Sequence, residues 1–202
     1  MPDYADPALR LGGARREIET LEDLFGAAGI EGRRRAVIDR LRAGDEIDLI
    51  HFACHGHAET ERIWAAALSM TGRPKDGGGY VRETLSLGDV ELNAAFQREG
   101  RGRPVVFINA CQAGMGGRSL SGTGGMAKAF ILRGAGLFVS TLWSIGDDVA
   151  HTFAKTFYEA LIDGQTVAGA ARVARREARE AKEPTWIAYT VYGHPYARLS
   201  TA

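Results

Sequence analysis

Three mostly apolar runs stand out along the chain: Ile47 to Cys54, Val105 to Ile108, and Leu137 to Leu142. Apolar, β-branched runs this short, bounded by Gly or Pro, read as strands buried on both faces. Between them the apolar positions shift to a helical period. Ile18, Leu21 and Phe25 predict a helix over 14–25, ended by Gly26 and Gly29. Val37, Ile38 and Leu41 mark a second helix, about 33–42. Met126, Ala129, Phe130 and Arg133 mark another, and Val149, Phe153, Phe157 and Leu161 a longer one. Thr166 is a suitable N-cap for a last helix to about Ala181, with Ala inside and Arg and Glu outside. Weaker signals place a short strand at 65–70 and a loop or hairpin tip at 71–81 around Gly77-Gly78-Gly79. A return strand at Leu85 and Leu87, a short helix to about Phe96, and a final strand over 186–192 complete the pattern. Residues 1–13 read as a loose lead-in.

Strands that alternate with helices predict an α/β fold, a mainly parallel sheet with helices on both faces. The 202 residues are expected to form a single domain, 1–202. Apolar residues make up 45% and charged residues 25%, the balance of a soluble globular protein. Formal net charge is zero, which argues against nucleic acid or an anionic membrane as partner. Arg33-Arg34-Arg35 is then best read as a solvated helix face. Two cysteines form no disulfide framework, the first residues lack a signal-peptide pattern, and no run reaches membrane-helix length. Together these give a cytoplasmic expectation.

The chemistry gathers where the three buried runs end. The first ends at His55-Gly56, the second at Cys111-Gln112, and the third in Trp143 to Asp148. Ligands of open α/β sheets bind outside the carboxyl ends of the strands. If the first two runs are parallel neighbours, the His55 imidazole and the Cys111 thiol share one edge. A Cys with a His in reach is the minimum for nucleophilic catalysis, because the imidazole draws the thiol toward thiolate and later protonates the leaving amine. Gly56 has no side chain to obstruct its amide, which with the amide of Cys111 would form an oxyanion hole. Residues 112–125 hold six glycines, a loop expected to be functional and to order with substrate. Cys54 points away from His55 and reads as core. His51, His55 and His57 fall on one side of an extended chain, which invites a metal reading, but only Glu59 accompanies them as a carboxylate. No metal or other cofactor is therefore expected. Neither a phosphate-binding loop nor a serine nucleophile elbow is present.

The motifs HFACHG at 51–56 and INACQAG at 108–114, with His55 lying 56 residues upstream of Cys111, resemble the caspase arrangement. They resemble more closely the CHAT branch of the caspase-like fold, a group related to separase. RGAG at 133–136, STLWSIGDD at 140–148, FYEAL at 157–161 and VYGHP at 191–195 extend the resemblance over nearly the whole chain. It implies a caspase-like three-layer sandwich, a His55–Cys111 dyad, Gly56 at the oxyanion hole, and Asp147 as the acidic wall of the pocket for the residue before the cut. Asp148 is the alternative carboxylate, Asp147 then capping the next helix, and Trp143 shapes the same wall. A carboxylate in a partly desolvated pocket favours a cation, so cleavage after Arg or Lys is expected. The implied partner is a protein or peptide substrate, with a regulatory sensor or a homo-oligomer as source of control. The strand that usually opens this fold is not legible ahead of the first helix, and no fused sensor or repeat region is read. Two other classes compete: an inactive caspase-like scaffold, and a metal-dependent hydrolase.

Overall fold

The computed structural model describes residues 1–59, 62–97, 99–100, 102–110, 118–119, 122–123, 125–180 and 183–200. Helices α1 (Ala14–Phe25) and α2 (Arg34–Arg42) precede strand β1 (Leu49–Ala53). Short strands follow: β2 (Gly56–Glu59), β3 (Arg62–Ser69), β4 (Arg73–Pro74), β5 (Tyr80–Val81) and β6 (Thr84–Ser86). Helix α3 (Leu87–Asn93) leads to β7 (Val105–Asn109). Beyond lie β8 (Arg118–Ser119), β9 (Gly122–Thr123), α4 (Met126–Leu132), β10 (Leu137–Thr141), α5 (Asp147–Ile162), α6 (Val167–Arg179) and β11 (Tyr189–Gly193).

The main sheet has the order β1-β7-β10-β11. β1 and β10 flank β7, both parallel to it, and β11 closes one edge antiparallel. The three runs expected to be buried strands are thus neighbours. Alternation along each strand feeds two separate cores. Ile50, Phe52, Val106, Ile108 and Phe138 face α2, α3, α4 and the small β2-β3-β6 sheet. Phe107, Leu137 and Val139 face the other way, onto α1, α5 and α6. Phe107, Val106 and Phe138 are wholly buried, each large side chain contributing roughly 1.5–3 kcal/mol of transfer free energy. On α6 the inward residues are Ala170, Ala171, Ala174 and Ala178, short enough to let α6 lie close on α5. This is the three-layer α/β sandwich expected from the sequence.

Several local expectations are sharpened. Thr166 caps α6 through Gly169 N at 3.1 Å. The expected final strand begins only at Tyr189, because Pro184–Ala188 forms a 3-10 turn with Pro184 in its first turn. Gly77, Gly78 and Gly79 all have positive φ, as the hairpin between β4 and β5 requires. Of the Arg triplet, Arg34 is not simply solvated: its guanidinium forks onto Asp89 of α3. No described helix is long and apolar enough to cross a membrane.

Candidate active site

The sheet edge at which the candidate residues are expected is set by register. Ala53, the last residue of β1, pairs with Asn109, the last of β7. In the sequence, His55 and Cys111 each follow that pair by two residues. Cys111 itself, with 112–117, 120, 121 and 124, lies outside the described residues, and so does most of the glycine-rich 112–125 segment. The strand end leading to it is firmly held. Cys54 N donates to the Asn109 carbonyl at 3.1 Å, and Thr141 Oγ1 donates to the carbonyl of the buried Ala110 at 2.7 Å. The ends of all three parallel strands are therefore tied together one residue short of the thiol. Cys54 is 3% exposed and part of the core, as read from the sequence.

His55 is half-buried at the turn from β1 into β2, and Gly56 opens β2 opposite Leu68. The His55 amide donates to the Tyr4 hydroxyl at 2.9 Å, and that hydroxyl donates to the Ser69 carbonyl at 3.3 Å. The two rings are tilted against each other with centroids 5.4 Å apart. Burial pushes the Tyr4 hydroxyl up from its ordinary value, so it stays a protonated donor. His55 Nε2 lies 2.9 Å from the Leu9 carbonyl. A carbonyl only accepts, so Nε2 carries the proton, and Nδ1 of the neutral ring is left as the proton acceptor.

The turn after β10 places Trp143 partly exposed, at 40%. Asp147 and Asp148 are the first residues of α5, whose N-cap is Gly146. Neither carboxylate caps the helix. Asp147 Oδ2 accepts from Gly13 N at 2.9 Å, and Asp148 Oδ1 accepts from Arg16 Nη2 at 2.7 Å. Both sit beside the positive end of the α5 dipole, which favours their charge. The Asp148 pair is open to solvent and contributes little.

Beneath this edge lies a buried polar network absent from the sequence reading. Glu17 of α1 is 5% exposed. Its Oε2 accepts from Asn109 Nδ2 at 2.6 Å and lies 2.8 Å from His51 Nε2. His51 Nδ1 lies 2.9 Å from the Tyr158 hydroxyl, and the Tyr189 hydroxyl donates to Asn109 Oδ1 at 2.5 Å. One proton arrangement satisfies every group. Tyr158 donates to His51 Nδ1, His51 donates through Nε2 to Glu17, and Tyr189 donates to Asn109, which donates to Glu17. Burial, then the Glu17 charge, pushes both tyrosine hydroxyls well up from their ordinary value. One carboxylate oxygen thereby clamps β1 to β7 directly below the strand ends. The signal available in the sequence was an acid on the apolar stripe of α1, between Ala14 and Leu21.

The three histidines do not share one side of an extended chain. β1 and β2 belong to different sheets. His51 is held by Glu17 and Tyr158, His55 by Leu9, and His57 by Ser69 Oγ at 2.7 Å. Burial, then Arg82 and His55, lowers the affinity of His57 for a proton.

No curated protein sequence matches the chain. Among solved structures, the Arg-specific cysteine proteinase gingipain R is similar, with a TM-score of 0.61 at 14% identity. The match covers 98% of this chain and 46% of that one, so this chain spans less than half of gingipain R. At that identity the likeness establishes the caspase-like fold. The CHAT domain model matches residues 3–198. With that match spanning the α/β sandwich from the lead-in to β11, the chain belongs to the CHAT domain family.

Proposed function

We propose that this chain is a cysteine endopeptidase whose His55–Cys111 dyad cuts protein substrates after a basic residue. The observation that carries the reading is the register Ala53↔Asn109, the pair that His55 and Cys111 each follow by two residues in the sequence. Family membership and the fold shared with a cysteine proteinase support it. Cys111 transfers its proton to His55, and the thiolate attacks the substrate carbonyl carbon. The amides of Gly56 and Cys111 hold the oxyanion. His55 then protonates the leaving amine, and the resulting thioester is hydrolysed by a water that His55 deprotonates. Asp147, with Asp148 and Trp143 beside it, forms the pocket for the residue before the cut. A carboxylate there selects Arg or Lys, and gingipain R, which shares the fold, is described as Arg-specific. A thiol nucleophile suits a reducing compartment such as the cytoplasm. A sensor partner or a second copy of the chain controls the site.

The test is to incubate wild type and Cys111→Ala with a cell lysate and map newly created protein N-termini. New termini that follow Arg or Lys and require Cys111 are expected. Identical sets of termini from the two proteins contradict the reading and favour an inactive scaffold.

A further inference from the structure

We infer that the outer edge of β11 docks an extended, acidic segment of a partner protein, which adds to the main sheet as one more strand. β11 ends the sheet order β1-β7-β10-β11, and among the described residues it pairs with β10 alone. Leu142 N donates to the Ala188 carbonyl at 2.9 Å. Bonding to β10 alternates from that pair, so Thr190 and Tyr192 turn their amides and carbonyls inward while Val191 and Gly193 turn theirs outward. Neither Val191 nor Gly193 is buried. The N–H and C=O of Val191 and the N–H of Gly193 have no partner among the described residues. Such a row is a template for strand addition.

The charge beside this edge selects the occupant. α6 runs along β11 in the opposite direction. Val167 N and Ala168 N donate to the Ala197 and Pro195 carbonyls just past the strand, and Arg175 Nη2 donates to the Tyr189 carbonyl at its start, at 3.0 Å. That carbonyl belongs to the outward set, so Arg175 lies on the edge itself. Its guanidinium is partly buried, and its other N–H groups have no acceptor among the described residues. Burial alone shifts it, below its ordinary value, so no described carboxylate offsets the cost of burying the charge. Helical spacing sets Arg172 and Arg179 on the same flank of α6, and neither pairs with a described acid, whereas Arg176 has Glu177. An apolar strand would leave these cations unanswered. A second copy laid on the edge by two-fold symmetry would set an equal row of arginines against them. A strand with acids at alternate positions faces its carboxylates toward α6 while its backbone meets Val191 and Gly193.

The probe is a fluorescein-labelled peptide of about seven residues that alternates Glu with Val; it carries no basic residue, so it is not a substrate under the reading above. Binding to the whole chain is followed by fluorescence anisotropy. Wild type should bind it saturably and more weakly as salt is added. N-methylation of the peptide amides that face β11 should weaken binding at least about tenfold, the loss of about two backbone bonds, and needs no change to the protein. A peptide with Lys in place of Glu should not bind. Arg172→Glu/Arg179→Glu, at exposed positions, should weaken binding of the Glu peptide about tenfold or more and leave the melting curve unmoved. Equal binding of the N-methylated and unmodified peptides, or of wild type and the double variant, overturns the inference. So does a Glu peptide that fails to bind up to about millimolar concentration. A wild-type chain that is dimeric by light scattering, and that Val191→Pro renders monomeric but still folded, overturns it in favour of self-pairing.

Discussion

Glu17 is buried, and the donors around it point inward. Removing its carboxylate leaves Asn109 Nδ2 and His51 Nε2 without their acceptor in a dry environment, at about 1–3 kcal/mol for each group. Glu17→Ala is therefore expected to lower unfolding free energy by roughly 2–4 kcal/mol, read as a lower urea midpoint at an unchanged slope. Glu17→Gln keeps one acceptor oxygen and should lose less. A midpoint unmoved by Glu17→Ala would remove the network from the account of stability. Asp147 is tested at the same scale. In a positional-scanning peptide library, wild type should prefer Arg or Lys before the cut. Asp147→Asn should weaken that preference by roughly 10- to 100-fold, the loss of a charge-assisted pair. An unchanged preference in Asp147→Asn would shift the role to Asp148 or another acid.

Helix α3 is only seven residues long, so its cap carries much of its definition. Ser86 and Asp89 form a reciprocal capping box, and Arg34 of α2 forks onto the same carboxylate. Burial alone would raise the Asp89 carboxyl, but the bonds from Arg34 and Ser86 outweigh it and hold it below the ordinary 3.8. A carboxylate with a depressed folded-state value stabilises above its unfolded value and loses that contribution as pH falls through the folded one. Asp89→Asn should thus cost about 1–2 kcal/mol at neutral pH, discounted for the half-exposed Arg34. The gap between wild type and variant should stay constant down to about pH 4 and narrow below it, as denaturation curves across pH would show. A gap that widens on acidification contradicts this. Such elements were largely readable in advance, because period, cap and breaker are local signals. The Thr166 cap and the α5 stripe are of that kind. The strand at 186–192 was read too long because aromatic and β-branched residues continue across the 3-10 turn that Pro184 opens.

Among the described residues two cores lie on the two faces of the main sheet, and the alternation of Val105 to Ile108 between them is what made a doubly covered strand recognisable. Parallel pairing of the three runs follows from helices between them, so the neighbouring ends of β1 and β7 could be argued before any coordinates. The contacts made by the lead-in could not. Leu9 and His55 are 46 residues apart, Gly13 and Asp147 are 134 apart, and no local pattern announces either bond. Residues 1–13 read as loose because Pro and Gly break periodicity, whereas Tyr4 is buried, at 3% exposed. The proposed function stands or falls on His55 and Cys111. The most direct measurement is hydrolysis of an Arg-containing fluorogenic peptide by wild type, His55→Ala and Cys111→Ala, each first verified as folded by its melting curve. The account predicts cleavage by wild type and at least a roughly 10²-fold loss in each variant, since removing the acid–base group or the nucleophile removes a whole catalytic term. Folded Cys111→Ala or His55→Ala retaining wild-type activity would contradict it.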